Sequence, residues 1–239
     1  MKVLLTNDDG ITAPGIAALE EAVAAFATVW VVAPDRGYSG CGHQVTNHSP
    51  LSVTEISERH FRVNGTPADC ARLGVVEIVP DVDWVLSGVN AGGNLGADIW
   101  MSGTVAATRE ATWLGKRSIA LSQYIRSDRP RDWAKTAAMA RRVIRELIER
   151  DCPSSHYWNV NFPDVDTPVE QIKIVDVFPE PKHLEVGYVK THEGYAFQGD
   201  YRNRPRTAGS DVSVCFDDGD IAVACVSAIA MARVENDRS

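Results

Sequence analysis

An alternation of short apolar runs with amphipathic stretches restricts this chain more than any other feature. Residues 3–6 are apolar and stop at Asn7-Asp8-Asp9-Gly10. Pro14 then opens an Ala-rich stretch to about Phe26, with Ile16, Leu19 and Val23 at helical spacing. A second apolar run over 28–33 ends at Pro34. Strand, helix and strand in that order favour parallel pairing with a right-handed crossover. Thr66-Pro67-Ala68-Asp69 reads as a helix start, with Thr66 as N-cap and Asp69 near the positive end of the dipole. Strands are expected over 84–87, 118–122 and 158–162, and helices over 104–114, closed by Gly115, and 131–150. The fold expected is α/β, with a doubly wound, mostly parallel, Rossmann-like sheet as the catalytic core over residues 1–163. Beyond Pro163, strands are expected over 173–178, 187–191 and 220–226 in a turn-rich region without clear helices. Residues 164–239 are read as a C-terminal β-hairpin extension, packed on the same domain and available for oligomer contacts.

Composition narrows the function. The 239 residues carry 24 Lys+Arg and 32 Asp+Glu, a formal net charge of −8, with 44% hydrophobic and 23% charged residues. These are ordinary globular values, so a disordered tail, a collagen-like fibre and a coiled coil are excluded. A pI near 5.2 argues against a nucleic-acid polymer as the main partner, because that needs a basic face. It leaves room for a small anionic substrate, since one metal ion reverses a local field. No apolar stretch approaches the roughly 20 residues that span a bilayer. The five cysteines, Cys41, Cys70, Cys152, Cys215 and Cys225, are odd in number and form no Cys-x-x-Cys, so neither a zinc site nor a disulfide framework is expected. The expectation is a cytoplasmic, reduced protein without membrane contact.

Four groups of residues carry chemistry. Asp8 and Asp9 are adjacent, and adjacent strand residues face opposite sides. Both face one ligand only if the strand ends here and the chain turns at Gly10. Two like charges this close need a cation or a raised pKa, and open α/β sheets bind ligands beyond the carboxyl ends of their strands. A surface turn with a capping Asp is the plain alternative. Past the second strand, Asp35-Arg36-Gly37-Tyr38-Ser39-Gly40 is a polar loop able to present the Ser39 hydroxyl to the same crevice, unless it is merely structural. Ser87-Gly88-Val89-Asn90-Ala91-Gly92-Gly93-Asn94-Leu95-Gly96 is neither a Walker loop nor Gly-x-Gly-x-x-Gly. It still offers backbone N–H groups and side-chain amides near the sheet edge. Ser102-Gly103-Thr104 opens a helix, where free N–H groups and the dipole suit phosphate. Simple capping by Ser102 or Thr104 is the alternative. Two carboxylates, a hydroxyl and an amide carbonyl are hard oxygens, which suit one divalent ion, Mg²⁺, Mn²⁺ or Ca²⁺, better than Zn²⁺ or Cu²⁺. A metal beside a phosphate cradle points to hydrolysis of a phosphate ester.

These segments together resemble one family. Thr6-Asn7-Asp8-Asp9-Gly10-Ile11, followed by Ala13-Pro14-Gly15-Ile16, is similar to the N-terminus of the SurE family of stationary-phase survival proteins. Val31-Val32-Ala33-Pro34-Asp35-Arg36, Gly65-Thr66-Pro67-Ala68-Asp69-Cys70, Ser87-Gly88-Val89-Asn90, Asn94-Leu95-Gly96, Ser102-Gly103-Thr104-Val105-Ala106-Ala107 and Asn159-Val160-Asn161-Phe162-Pro163 also match. The likeness is dense over 1–125, returns near 160 and is weak beyond. It implies a divalent-metal-dependent phosphomonoesterase acting on nucleoside 5′- and 3′-monophosphates, with short polyphosphates as further substrates. The implied metal ligands are Asp8, Asp9, Ser39 and Asn90, with Asp8 and Asp9 also the catalytic pair. The implied phosphate contacts are Gly40, Asn94, Ser102, Gly103 and Thr104. The resemblance also implies a homodimer or homotetramer with exchanged C-terminal segments. Tyr38 and Cys41-Gly42-His43 depart from the family pattern around Ser39.

A different class of function is a non-catalytic nucleotide or metal sensor using the same pocket. An aspartyl-phosphate enzyme with Asp8 as nucleophile lacks the usual Asp-x-Asp spacing. The histidines form no ligand pattern, and His43 and His48 are expected in solvent, with His43 near the substrate as the alternative. Trp30, Trp84, Trp113, Trp133 and Trp158 are expected in the core, and Trp100, before the phosphate helix, is a candidate for stacking on a nucleobase.

Overall fold

A computed structural model of the chain describes residues 1–126, 130–169, 171–177, 186–199 and 204–229. The strands in chain order are β1 (Lys2–Thr6), β2 (Thr28–Pro34), β3 (Val53–Ser57), β4 (His60–Val63), β5 (Trp84–Ala91), β6 (Arg117–Gln123), β7 (His156–Phe162), β8 (Ile172–Ile174), β9 (Gly187–Thr191), β10 (Gly194–Gln198) and β11 (Ile221–Ser227). The main sheet runs β3-β4-β2-β1-β5-β6-β7-β11-β8, and β9 pairs with β10 in a separate antiparallel hairpin. From β4 to β7 every neighbour is parallel. β3 on β4 and β11 on β7 are antiparallel. The chain builds outward from β1 through β2 to β4, then returns to place β5 on the other side of β1. That reversal opens a crevice at the carboxyl ends of β1 and β5.

The helices are α1 (Pro14–Val23), α2 (Pro67–Leu73), α3 (Gly103–Trp113) and α4 (Trp133–Ile148). α1 packs with α4 on one face of the sheet, and α2 with α3 on the other. β1 is apolar on both sides because it is covered on both. Leu5 packs with Ile16, Leu19 and Val143, and Leu4 with Val32, Val75 and Ala111. Leu4 and Leu5 are fully buried, so truncating either to Ala is expected to cost about 2–5 kcal/mol. Each helix starts where the sequence supplies a start. Pro14 and Pro67 sit at first-turn positions, Thr66 and Asp69 form a reciprocal capping box, and the Asp132 side chain accepts from Lys135 N.

The α/β sheet and the C-terminal hairpin are as expected. Four details differ. β5 continues past Ser87 to Ala91 and so carries Asn90 to the end of the strand. β3 and β4 have no counterpart in the sequence reading, because β3 is exposed along its whole length and shows no apolar alternation. The expected 173–178 strand covers only Ile172–Ile174, and its last residue, Phe178, lies outside the described residues. Residues 211–218 form a short helical turn, closed by Gly219, where no helix was expected. β8 and β11 extend the main sheet, so the last part of the chain continues the architecture of the first. Among the described residues no helix is long and apolar enough to cross a membrane.

Candidate active site

Asp8 and Asp9 follow β1 directly, and the chain turns there. Gly10 has φ +101, a conformation that suits glycine. The Asn7 side chain closes the turn, donating from Nδ2 to Gly10 O (2.8 Å) and accepting from Gly10 N (3.2 Å). The strand therefore ends in time for both carboxylates to reach one side. Asp9 Oδ2 accepts from Ala91 N at 3.0 Å, tying it to the end of β5. Asp8 Oδ1 accepts from the Thr104 hydroxyl in the first turn of α3. Each carboxylate keeps one oxygen outside these bonds.

Asp8, Asp9, Ser39, Gly40, Asn90, Asn94 and Ser102 line one open cleft of about 280 Å³, together with Ala91, Asp98 and Met101. A cavity of about 340 Å³ between the start of α4 and the end of β7 contains none of the predicted residues. Asn90 Nδ2 donates to Gly92 O (2.8 Å), which leaves Oδ1 as the oxygen offered to the cleft. Asn94 is clamped from β6 and β7. Its Nδ2 donates to Ser122 Oγ (2.8 Å), its N donates to Asn161 Oδ1 (2.8 Å), and its carbonyl accepts from Asn159 Nδ2 (2.9 Å) and Asn161 Nδ2 (3.0 Å). Two asparagines at i and i+2 on one strand share a face, which explains Asn159-Val160-Asn161.

Gly103 and Thr104 stand behind Asp8 instead of lining the cleft. A Cβ on Gly103 would lie 2.8 Å from Asp8 Cβ and 3.0 Å from Cys41 Sγ, so only glycine lets α3 come this close. Ser102 caps α3, its hydroxyl accepting from Val105 N at 3.1 Å, and it also faces the cleft. Capping and ligand contact are thus compatible at Ser102.

Burial raises the Asp8 carboxyl to about 6. The Thr104 bond opposes the shift, and the neighbouring Asp9 charge adds to it. Among the described residues no Lys or Arg pairs with Asp8 or Asp9. A buried carboxylate beside a second one, with no cationic side chain, fits a divalent ion. No three His, Cys, Asp or Glu residues converge on a metal position among the described residues, so a metal here would also draw on neutral oxygens of the cleft, such as those of Ser39 and Asn90. That donor set suits Mg²⁺, Mn²⁺ or Ca²⁺.

Three residues outside the predicted site brace the cleft. His43, expected in solvent, stacks on Trp113 with ring centroids 4.7 Å apart. Its Nε2 bonds Glu110 Oε2 at 2.8 Å and its Nδ1 faces Arg109 Nη1 at 3.2 Å. An arginine donates and never accepts, so Nδ1 is the acceptor and Nε2 carries the hydrogen. Glu110 also takes Arg72 Nε at 2.7 Å. Burial works against the Glu110 charge, but the bonds from His43 and Arg72 outweigh it and hold the carboxyl below its usual range. Trp113 is therefore not in the core; it is 52% exposed. The Ser39 loop has further moorings. Tyr38 N donates to Asp8 O (2.7 Å), Gly42 N to Met101 O (3.1 Å), and Thr46 N and Oγ1 to Asp69 (2.8 and 2.7 Å).

The other two lie beyond residue 200. Arg204, fully buried at its side chain, donates to Asp98 Oδ2 at 2.6 Å and to Leu95 O at 3.2 Å. Asp211 Oδ2 accepts from Gly96 N at 2.7 Å. The C-terminal region thus holds the Gly-rich loop from behind. Local sequence gave no sign of this, because the contacts span more than a hundred residues. Trp100 is 47% exposed next to Met101, and the Arg109 guanidinium lies over its ring at 5.2 Å.

Comparison with known proteins identifies the family. The family described as Survival protein SurE matches residues 3–182. A relative from Synechocystis is 45% identical over 223 residues, covering 93% of this chain and 98% of its own length. The 5′-nucleotidase SurE of Geobacter sulfurreducens is 47% identical over 173 residues, covering 72% of this chain and 65% of that protein. The crystal structure of the SurE protein from Aquifex aeolicus superposes with a TM-score of 0.86 at 32% identity, covering 97% of this chain and 95% of that one.

Proposed function

The chain belongs to the SurE family, and from that premise we propose that it is a 5′-nucleotidase that needs one divalent metal ion and hydrolyses nucleoside monophosphates to nucleoside and phosphate. The observation that carries this reading is the meeting of Asp8, Asp9, Ser39 and Asn90 in one cleft at the carboxyl ends of β1 and β5. Those four residues would hold the ion. When bound, it supplies Lewis-acid polarisation of the phosphoryl oxygen and lowers the pKa of water.

The chain's own groups do the positioning. Thr104 fixes one oxygen of Asp8 and Ala91 N fixes one of Asp9, so the carboxylates hold their places without rearranging. The second oxygen of either Asp is available to take a proton from the attacking water. The Ser102 hydroxyl, whose oxygen already caps α3, has its hydrogen free to donate to a phosphate oxygen. Asn94 and the Gly40 backbone bound the other side of the same space. Gly103 and Thr104 contribute by holding Asp8. Trp100 offers a half-exposed ring beside this space for a nucleobase. The cleft is open, so the reading extends to 3′-monophosphates and short polyphosphates, which present the same terminal phosphate.

We also infer a homodimer or homotetramer. The β9–β10 hairpin stands apart from the main sheet, with Tyr188, Tyr195 and Phe197 62%, 71% and 58% exposed. The Tyr188–Phe197 and Lys190–Tyr195 pairs share one face. An isolated two-stranded hairpin is marginal in water, and a second copy of the chain would cover that face.

The test is phosphate release from AMP and GMP with Mg²⁺ or Mn²⁺, with and without chelator. Chelator-sensitive turnover that falls more than about tenfold, over 1.4 kcal/mol of transition-state stabilisation, in Asp9→Asn is expected. Turnover that survives both would overturn the reading, and tight nucleotide binding without turnover would favour a sensor.

A further inference from the structure

Cys152 lies in the turn between α4 and β7, and Cys225 lies on β11 opposite Trp158. Their Sγ atoms are 3.7 Å apart although 73 residues separate them in the chain. Cys225 is exposed and Cys152 is half-buried, so a small molecule from solvent can approach the pair from the Cys225 side. Nothing in the proposed hydrolysis uses either. Both sit near the start of β7, at the end of the sheet opposite the cleft.

We propose that Cys152 and Cys225 are a disulfide-forming pair that closes when the protein meets a small-molecule disulfide of the oxidised-glutathione type. The exposed Cys225 sulfur attacks the small disulfide, forming a mixed disulfide and releasing one small thiol. The Cys152 sulfur then attacks Cys225 Sγ and releases the second. Two protein thiols and one small disulfide become one protein disulfide and two small thiols, so atoms and electrons balance. An S–S bond of about 2.05 Å needs the two sulfurs to close a short gap, which side-chain rotation in an exposed turn permits. Burial pushes the Cys152 thiol up to about 12, with Cys225 beside it adding to the shift, and burial raises the Cys225 thiol as well. Thiolate is scarce at neutral pH, so the bond forms slowly. The pair is suited to a lasting staple, not to a fast sensor.

The bond would reinforce one existing seam. Beyond Cys225, Ala228 N donates to Ser155 O (2.8 Å) and Trp113 Nε1 donates to Ala228 O (3.1 Å). The first bond fastens the outer end of β11 to the turn that carries Cys152, and the second fastens it to the end of α3. A covalent link there constrains the long loop between the two cysteines in the unfolded chain.

The whole protein is incubated with oxidised glutathione, blocked with an alkylating reagent and digested without reduction. Peptides carrying Cys152 and Cys225 are expected joined, and the intact protein lighter by two hydrogens. Tm is expected to rise by about 5–10 °C and to fall back with dithiothreitol. Cys152→Ser and Cys225→Ala should each abolish both changes, while the rate on AMP stays the same in oxidised and reduced protein. Retention of all five thiols, a mixed disulfide that stops at Cys225, a bond to another cysteine, or a cross-link without a rise in Tm would each overturn the proposal.

Discussion

The Thr104 hydroxyl donates to Oδ1 of Asp8, which precedes it by 96 residues. This bond makes the first turn of α3 part of the carboxylate's placement. Thr104→Val is expected to keep the shape but lose the donor, at a stability cost of about 1–3 kcal/mol. kcat on AMP should drop by about tenfold or more, since Asp8 loses its fixed orientation, while Thr104→Ser should retain most activity. Equal activity in the valine and serine variants would refute this role.

Gly103 tests the closeness of α3. Alanine is the better helix former by about 1 kcal/mol, so an exposed site would gain from Gly103→Ala. Here the new Cβ meets Asp8 Cβ at 2.8 Å, and a net loss of about 1–3 kcal/mol is expected from overpacking. Denaturant unfolding of the metal-free variant decides the sign.

Asp8 gives a pH dependence with a definite direction. Its carboxyl stands at about 6 in the folded protein against 3.8 for the ordinary group. The folded state therefore binds the proton more tightly, and metal-free stability falls as pH rises from about 4 to about 6. Asp8→Asn removes the penalty and should stabilise the metal-free protein by up to about 3 kcal/mol above that window. Metal affinity should move the opposite way, strengthening as pH rises to about 6 because the ion competes with the proton. Calorimetry across pH 4–8, with and without Mn²⁺, reads both trends.

His43 and Glu110 should differ in cost. His43→Ala leaves Glu110 paired with Arg72, so the fold should survive while the Ser39 loop loosens and KM rises several-fold. Glu110→Gln leaves Arg72 and His43 facing a neutral group, and about 2–4 kcal/mol of stability should go with it. Similar unfolding midpoints for the two variants would contradict this.

Arg204→Leu should uncouple the C-terminal region from the Gly-rich loop. Asp98, its 2.6 Å partner, would lose a charged bond at the edge of the cleft. A raised KM for AMP and a lower Tm are expected together; an unchanged KM would show that the loop keeps its place without this brace.

The parallel sheet was legible because buried strands are short apolar runs with sharp ends. Asp8 and Asp9 were legible as carboxylates at a strand end and Ser39 as a hydroxyl in a polar loop, while Asn90 was singled out from the Gly-rich loop only by the resemblance; parallel topology brings these segments to one edge of the sheet. β3 was not legible, since an exposed edge strand needs no apolar pattern. His43 looked solvated because Trp113 and Glu110, which enclose it, lie some 70 residues away in sequence. Thr104 read equally well as a cap or a phosphate contact. Only the packing of Gly103 against Asp8 gave its hydroxyl a different partner.

The segment that carries Ser39 is a bridge with piers on both banks. Tyr38 is fastened to the backbone of Asp8, Gly42 to Met101, His43 to α3 and Thr46 to the capping box of α2. A span held at four points does not swing, so in the proposed site the Ser39 hydroxyl would stand in place before an ion arrives and little ordering entropy would be lost. Turnover in such a cleft should be set by the phosphorus–oxygen bond and by departure of products, since the Ser39 segment itself imposes no closing step.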